Sequence, residues 1–246
     1  MINDMLILQN KFQEIKRKKW IKSVKKGPTG IGATLEHLLG CEENSLEIPD
    51  FNSFEVKAKR KFSESYISLF NMTPSGKYYH ETERLKNLYG YPDKILKQYK
   101  VLNNSIYTSK TTWIGNRFQF ILKVNKEKKI VKLCIFDCNN NLIEDFINWD
   151  FDSIKEKLYR KLKNLAYFNA YTKFYKNEEY FYYYKIQFFR LKNFETFINL
   201  INDGTIRINF KIGVFRSSKR LGQIHDHSTS FEIKECDLLK LYEKLE

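Results

Sequence analysis

Gly27-Pro28-Thr29-Gly30-Ile31-Gly32-Ala33-Thr34-Leu35-Glu36-His37-Leu38-Leu39-Gly40, followed by Pro49-Asp50 and then Glu55-Val56-Lys57, packs a glycine-rich turn, an apolar helix and an extended piece into one short span. Leu35, Leu38 and Leu39 form the buried stripe of a helix expected over 33–40, with Thr29 or Thr34 as cap and Gly40 as stop. Glu55 and Lys57 are two residues apart, so on a strand both side chains point to one face. Asp50, behind Pro49, falls where an extended segment begins or bends. Acids gathered around a cation site, with a lysine beside them, are what metal-assisted phosphodiester hydrolysis needs. Carboxylate oxygens hold a hard cation, and an ammonium can hold the attacking water or the developing charge. Glu36 lies at the edge of the leucine stripe, where an acid is usually just solvated. It gains a role only if that helix meets the Asp50 segment. The glycine turn lacks the Lys-Ser/Thr of a nucleotide-binding P-loop. Its glycines would still let backbone approach a phosphate, and a plain turn is the equal alternative.

The 246 residues suffice for a real core, and 42% of them are hydrophobic. Lys and Arg total 43 against 29 Asp and Glu, a formal charge of +14. That balance favours a polyanion, nucleic acid first and an anionic membrane second, with lysine-rich composition bias as the plain alternative. The 36 Phe and Tyr residues fall mostly at strand or helix spacing, which points to core more than to base stacking. Cys134 and Cys138 have no second pair or nearby histidine to complete a zinc set, so thiols in a reducing cytoplasm are expected. The first residues carry acid early and only a very short apolar run, unlike a signal peptide, and no stretch approaches ~20 apolar residues.

Spacing predicts an amphipathic helix over 4–24, strands over 54–59 and 66–71, and a helix over 80–90. A hairpin pairs 118–124 with 130–136, and a helix opens at Asp152 or Ser153 and runs to about Leu165. Strands over 165–174 and 180–191, a helix over 193–203 and a strand over 206–215 follow. A basic loop 216–222, the His225-Asp226-His227 region, a strand over 230–234 and a final helix over 236–245 close the chain.

Asp, a variable gap and Glu-x-Lys alone would arise by chance about once in a lysine-rich chain of this length. The ordered context is more specific. The glycine loop and leucine helix, then Glu43-Asn44, Pro49-Asp50-Phe51 and Glu55-Val56-Lys57 resemble the MvaI/BcnI family of type II restriction endonucleases. That family is related to the mismatch-repair nickase MutH within the PD-(D/E)XK nucleases. Trp149-Asp150-Phe151-Asp152, Ile212-Gly213 and His225-Asp226-His227-Ser228-Thr229-Ser230-Phe231 extend the resemblance from about Trp20 to the C-terminus.

The resemblance implies an α/β (α+β) fold. A mixed β-sheet flanked by helices would form a PD-(D/E)XK, MutH-like core, with a second lobe for DNA recognition. The expected division is a catalytic lobe over 1–192, with the hairpin region 112–148 at its periphery, and a recognition lobe over 193–246. The resemblance makes Asp50, Glu55, Lys57 and Glu36 the catalytic set. Asp50 and Glu55 would hold Mg²⁺, with Mn²⁺ as substitute, Lys57 would attend the water, and Glu36 would support the site. Gly27, Thr29 and Gly30 match a DNA-backbone contact region, and His225, Asp226 and His227 a major-groove reader. Histidine can donate to guanine and Asp226 can accept from cytosine; a His-x-His metal pair is the weaker alternative. Arg216, Lys219 and Arg220 suit phosphates. Where relatives carry arginines on the late strands this chain has Lys211 and Glu232 as DNA-binding candidates. Lys211 can still serve as a reader and Glu232 either reads a cytosine or points away, so the recognised sequence need not be of the CC-x-GG type.

The function expected is a site-specific, Mg²⁺-dependent double-stranded DNA endonuclease. It would act as a cytoplasmic monomer that nicks each strand in turn, with a cognate DNA methyltransferase protecting the host. The alternatives are a MutH-like repair nickase, a catalytically dead DNA-binding protein and a general nucleic-acid binder.

Overall fold

The computed structural model describes residues 2–41, 48–217 and 219–246. Glu43-Asn44, which carry part of the resemblance, and Ser218 of the basic loop lie outside the described residues.

In chain order the elements are α1 (Ile2–Arg17), β1 (Ile21–Lys22), α2 (Gly30–Leu39), β2 (Glu55–Arg60), β3 (Ile67–Asn71) and α3 (Glu81–Tyr89). Short strands follow: β4 (Tyr91–Pro92), β5 (Lys100–Val101), β6 (Ser105–Ile106) and β7 (Thr112–Ile114). Next come β8 (Phe118–Asn125), β9 (Ile130–Asp137), β10 (Leu142–Asp150), α4 (Phe151–Leu162), β11 (Asn164–Tyr175) and β12 (Glu178–Leu191). The chain ends with α5 (Phe194–Asn202), β13 (Arg207–Val214), β14 (Ile224–Ile233), α6 (Leu238–Leu241) and β15 (Tyr242–Leu245). The class is mixed α+β, as expected.

The chain forms two compact units, and neither is continuous in sequence. The first comprises Met1–Ser65, Glu156–Asn193 and Leu238–Glu246; the second comprises Tyr66–Lys155 and Phe194–Asp237. The single boundary expected at 192/193 is therefore replaced by several crossings. The region 112–148 is not a peripheral addition to the first unit but part of the second.

In the first unit the strands run β1-β12-β11-β2, with β15 also pairing β12. β2 lies parallel to β11, Glu55 opposite Leu165 and Lys57 opposite Tyr167. One face carries Phe54, Val56, Ala166, Phe168, Ala170, Phe181 and Tyr183. Against these pack Leu8, Phe12 and Ile15 of α1 and Ile31, Leu35 and Leu39 of α2. The alternation of the strand then puts Glu55 and Lys57 on the face opposite Val56.

The second unit holds the sheet β3-β14-β13-β6 and the sheet β10-β9-β8-β7. The side chains of Phe120, Trp149, Phe197, Phe210 and Phe231 fill its core. Trp149 is fully buried, and its indole N–H donates to Met72 O at 3.0 Å, so its one polar atom is satisfied.

Three segments differ from their sequence expectation. α1 stops at Arg17 because Lys19 adopts φ 55°, and Ile21 and Lys22 pair with Phe181 and Tyr180. The segment 236–245 is a short helix, and then Tyr242–Leu245 pairs with Leu191–Phe188 of β12. Helix-forming residues yield there to a strand edge whose backbone groups need partners. The strand expected at 230–234 begins at Ile224 instead, because His225 and Asp226 pair with Gly213 and Ile212.

Candidate active site

Asp50 reaches β2 through a tight turn. Phe51 and Phe54 exchange backbone hydrogen bonds at 3.0 and 2.8 Å, and Asn52 takes φ 47° between them. The turn is held from outside: the Ser53 hydroxyl donates to Asp4 Oδ2 at 2.6 Å and the Asn164 amide donates to Ser53 O at 3.0 Å. Asp50 Oδ2 thereby accepts the Val56 N–H at 3.1 Å. The four-residue gap between Asp50 and Glu55 is thus a compact return that brings the first acid beside the second. No local signal in the sequence marks Asp4 or Asn164 as partners of this turn, because they lie 49 and 111 residues from Ser53.

Glu55 is fully buried. Its Oε1 accepts from Lys57 Nζ at 2.5 Å and faces Lys161 Nζ at 3.5 Å, while Oε2 is buried with no hydrogen-bond partner. Burial pushes its carboxyl above the ordinary glutamate range; Lys57 and Lys161 oppose that shift and Asp50 adds to it. For Lys57, burial works to lower the ammonium, but the charges of Glu55, Asp50 and Glu36 outweigh it and hold it above the ordinary lysine value. The Cys41 thiol registers the same acids. Burial first, then Asp50, Glu36 and Glu55, push it up to about 11. The four predicted chemical residues therefore share one electrostatic neighbourhood in the first unit. Glu36 belongs to it from α2, beside a cavity of about 300 Å³ that also touches Lys25, His37 and Cys41. The sequence missed Lys161 of α4 and Tyr242, whose buried hydroxyl feels the Glu55 charge.

Among the described residues no three His, Cys, Asp or Glu side chains gather into a metal-holding group. A Mg²⁺ ion needs no such cage, because it is ordinarily bound by one or two carboxylates together with substrate phosphates and waters. The all-oxygen donors of Asp50 and Glu55, one of them a buried oxygen without a partner, suit that ion.

The glycine turn is clamped from the end of β2. Arg60 donates to Pro28 O at 3.0 Å and Gly27 O at 3.3 Å, and its guanidinium also grips Glu179 at 2.8 and 3.0 Å. Gly27 takes φ 92°, where a side chain would be strained. A Cβ on Gly30 would meet Lys25 O at 2.4 Å. Thr29 is the N-cap of α2 without a side-chain cap bond; Thr34 instead donates to Gly30 O at 2.7 Å.

The candidate readers all lie in the second unit, on or beside β13 and β14. His225 and His227 sit on the strand itself, not in a loop. His225 stacks on Phe215 with centroids 4.1 Å apart, His227 lies 4.0 Å from His225, and Arg220 covers Phe215. Asp226 accepts from the Thr82 hydroxyl and the Ser228 N–H, both at 2.6 Å. Arg216 pairs at 2.7 Å with buried Asp93, whose carboxyl it holds well below the usual range with help from the Leu96 and Ile95 N–H groups. Lys219 and Arg220 are exposed. Glu232 is buried: Oε2 accepts from Arg207 at 2.8 Å, and Oε1 pairs with Lys211 at 2.7 Å and accepts from Asn209 at 3.1 Å. It orients two cations and offers no spare oxygen to a base.

The model of the MvaI/BcnI restriction endonuclease family matches residues 9–242. The chain belongs to that family. It is a type II restriction endonuclease. Among solved structures it is similar to a restriction endonuclease MvaI–cognate DNA substrate complex, at 29% identity and TM-score 0.92, covering 100% of this chain and 98% of that one. MvaI in the absence of DNA matches at 28% identity and TM-score 0.63, with the same coverage. No curated protein sequence matches the chain.

Proposed function

We propose that this MvaI/BcnI-family enzyme is a Mg²⁺-dependent endonuclease with the PD-(D/E)XK, MutH-like catalytic set. It hydrolyses phosphodiester bonds of double-stranded DNA at a short recognition sequence. It acts in the cytoplasm as a monomer that nicks one strand and then the other, and a cognate methyltransferase marks the host DNA. The observation that carries the chemistry is the return of Asp50 onto the Val56 N–H, which sets it beside Glu55 and Lys57.

Asp50 and Glu55 are the oxygens that would hold the cation, which when bound polarises the scissile phosphate and lowers the pKa of a water. In the cation-free site Glu55, Asp50 and Glu36 outweigh burial and hold the Lys57 ammonium above the ordinary value. As an ammonium it is proposed to orient the water or to stabilise charge on the phosphate. The Arg60 clamp keeps the glycine turn at a fixed distance from the end of β2, where backbone N–H groups can meet a DNA phosphate. Lys211, His225, Asp226 and His227 are proposed to read base edges, and Arg216, Lys219 and Arg220 to position the backbone.

The test is plasmid DNA incubated with the protein and Mg²⁺, with the ends mapped. Discrete fragments preceded by open circles are expected. A failure to cut any unmodified DNA, across several salt concentrations, overturns the proposal and favours a dead DNA-binding protein. Single-strand cuts that never mature to fragments favour a MutH-like nickase. Affinity for a cognate duplex should also fall steeply with salt. About six phosphate contacts would give a slope near −5 in log K against log salt, measured by anisotropy. A flat dependence would contradict the use of the +14 charge for DNA.

A further inference from the structure

Glu55 Oε1 is faced by two ammoniums, from Lys57 on its own strand and from Lys161 in the last turn of α4. Both lysine side chains are only about a quarter exposed, at 26% and 24%, and the carboxylate they share is wholly buried. Lys57 already gives Oε1 an ammonium at 2.5 Å. The second places another cation 3.5 Å from Oε1 of the carboxylate that a divalent ion would use. A buried carboxylate left without a counter-charge is costly, so cation-free protein needs such a partner. A divalent ion and a nearby ammonium repel, so the same partner opposes loading of the site.

We propose that Lys161 is a positioning residue, a resting counter-ion of Glu55, which competes with the divalent cation for the Glu55 carboxylate and leaves it when the cation is bound. The inference rests on the reading of Asp50 and Glu55 as cation ligands. The long side chain suits the role. A flexible four-carbon stem lets the ammonium turn from the carboxylate toward water or a DNA phosphate oxygen. Lys57 cannot take this part as readily, since it is fixed to the same strand two residues from Glu55.

Competition and permanent support predict opposite signs. If Lys161 competes, removing its charge tightens Mg²⁺ binding. If it only keeps Glu55 ionised, removing it weakens Mg²⁺ binding. The experiment compares wild type, Lys161→Met and Lys161→Arg in two readouts. One is the thermal unfolding midpoint over a MgCl₂ series without DNA; the other is the half-saturating Mg²⁺ for plasmid cleavage. Lys161→Met should melt below wild type in EDTA, gain more from Mg²⁺, and reach half-saturation at about 3- to 10-fold lower Mg²⁺. Lys161→Arg should follow wild type. Equal or higher Mg²⁺ demand in Lys161→Met, with wild type cutting normally, overturns this inference alone. A wild type that neither responds to Mg²⁺ nor cuts DNA overturns the nuclease proposal and this inference with it. Lys161→Gln supplies the same charge removal should the Met variant fail to fold.

Discussion

Asp50→Ala is expected to lose cleavage by about 10³-fold or more, while duplex affinity without divalent cation stays within a few fold of the parent. As a proposed cation ligand, Asp50 would act on the reaction through the charge it presents at the site. Catalytic metal sites supply several kcal/mol of transition-state stabilisation, and one missing carboxylate forfeits much of it. Asp50 also accepts the Val56 N–H, so the Ala variant loses a hydrogen bond worth about 1 kcal/mol. Asp50→Asn separates the two effects. Its amide oxygen can keep the Val56 bond, so stability should recover while cleavage stays lost. Single-turnover cleavage and anisotropy on the same duplex make the comparison. An Asp50→Ala protein that cuts at the parental rate would show that the assigned site is wrong.

The second large effect concerns Glu232 and stability. Burial alone would raise its carboxyl, but the bonds from Lys211, Arg207 and Asn209 outweigh that and hold it below the ordinary value of 4.5. A depressed pKa in the folded state means that folding is favoured by the ionised form. The stabilisation is therefore present above the ordinary glutamate value and is lost as pH falls through the folded value. Glu232→Gln should cost about 3 kcal/mol at neutral pH, because it leaves two cations facing a neutral amide in a buried site. The gap between variant and parent should narrow as pH drops through the acid range. Urea unfolding at several pH values, read through Trp149 in the core of the same unit, measures it. A gap that does not change with pH would sink the electrostatic account. The variant also bears on recognition, since Arg207 and Lys211 lose the group that orients them.

Much of the candidate site is legible in the sequence because its chemistry is local. Glu55 and Lys57 share a strand face by period alone, and Gly40 closes α2 in the left-handed conformation that its residue type predicts. The hairpin of β8 and β9 follows from two alternating runs around a polar turn. The +14 charge points to a polyanion through composition alone. These are properties of neighbouring residues or of the whole composition, and they need no partner from elsewhere in the chain.

What the tertiary structure alone decided are the long-range partners. Lys161 comes to Glu55 only because α4 packs beside the strand that carries it. Glu232 loses its availability to a base only because Arg207, Asn209 and Lys211 line the neighbouring strand in register. The His225-Asp226-His227 segment is strand because β13 supplies its hydrogen-bond partners, and Tyr242–Leu245 is strand because β12 has an edge to fill. In each case local preference is worth a few tenths of a kcal/mol per residue, while an unpaired buried backbone or charged group costs several times more. The sequence by itself determined the acid-lysine pattern of residues 50–57 and the basic balance of the chain. The fold determined which further charges stand around that pattern, because only packing decides which distant side chains share a low-dielectric space.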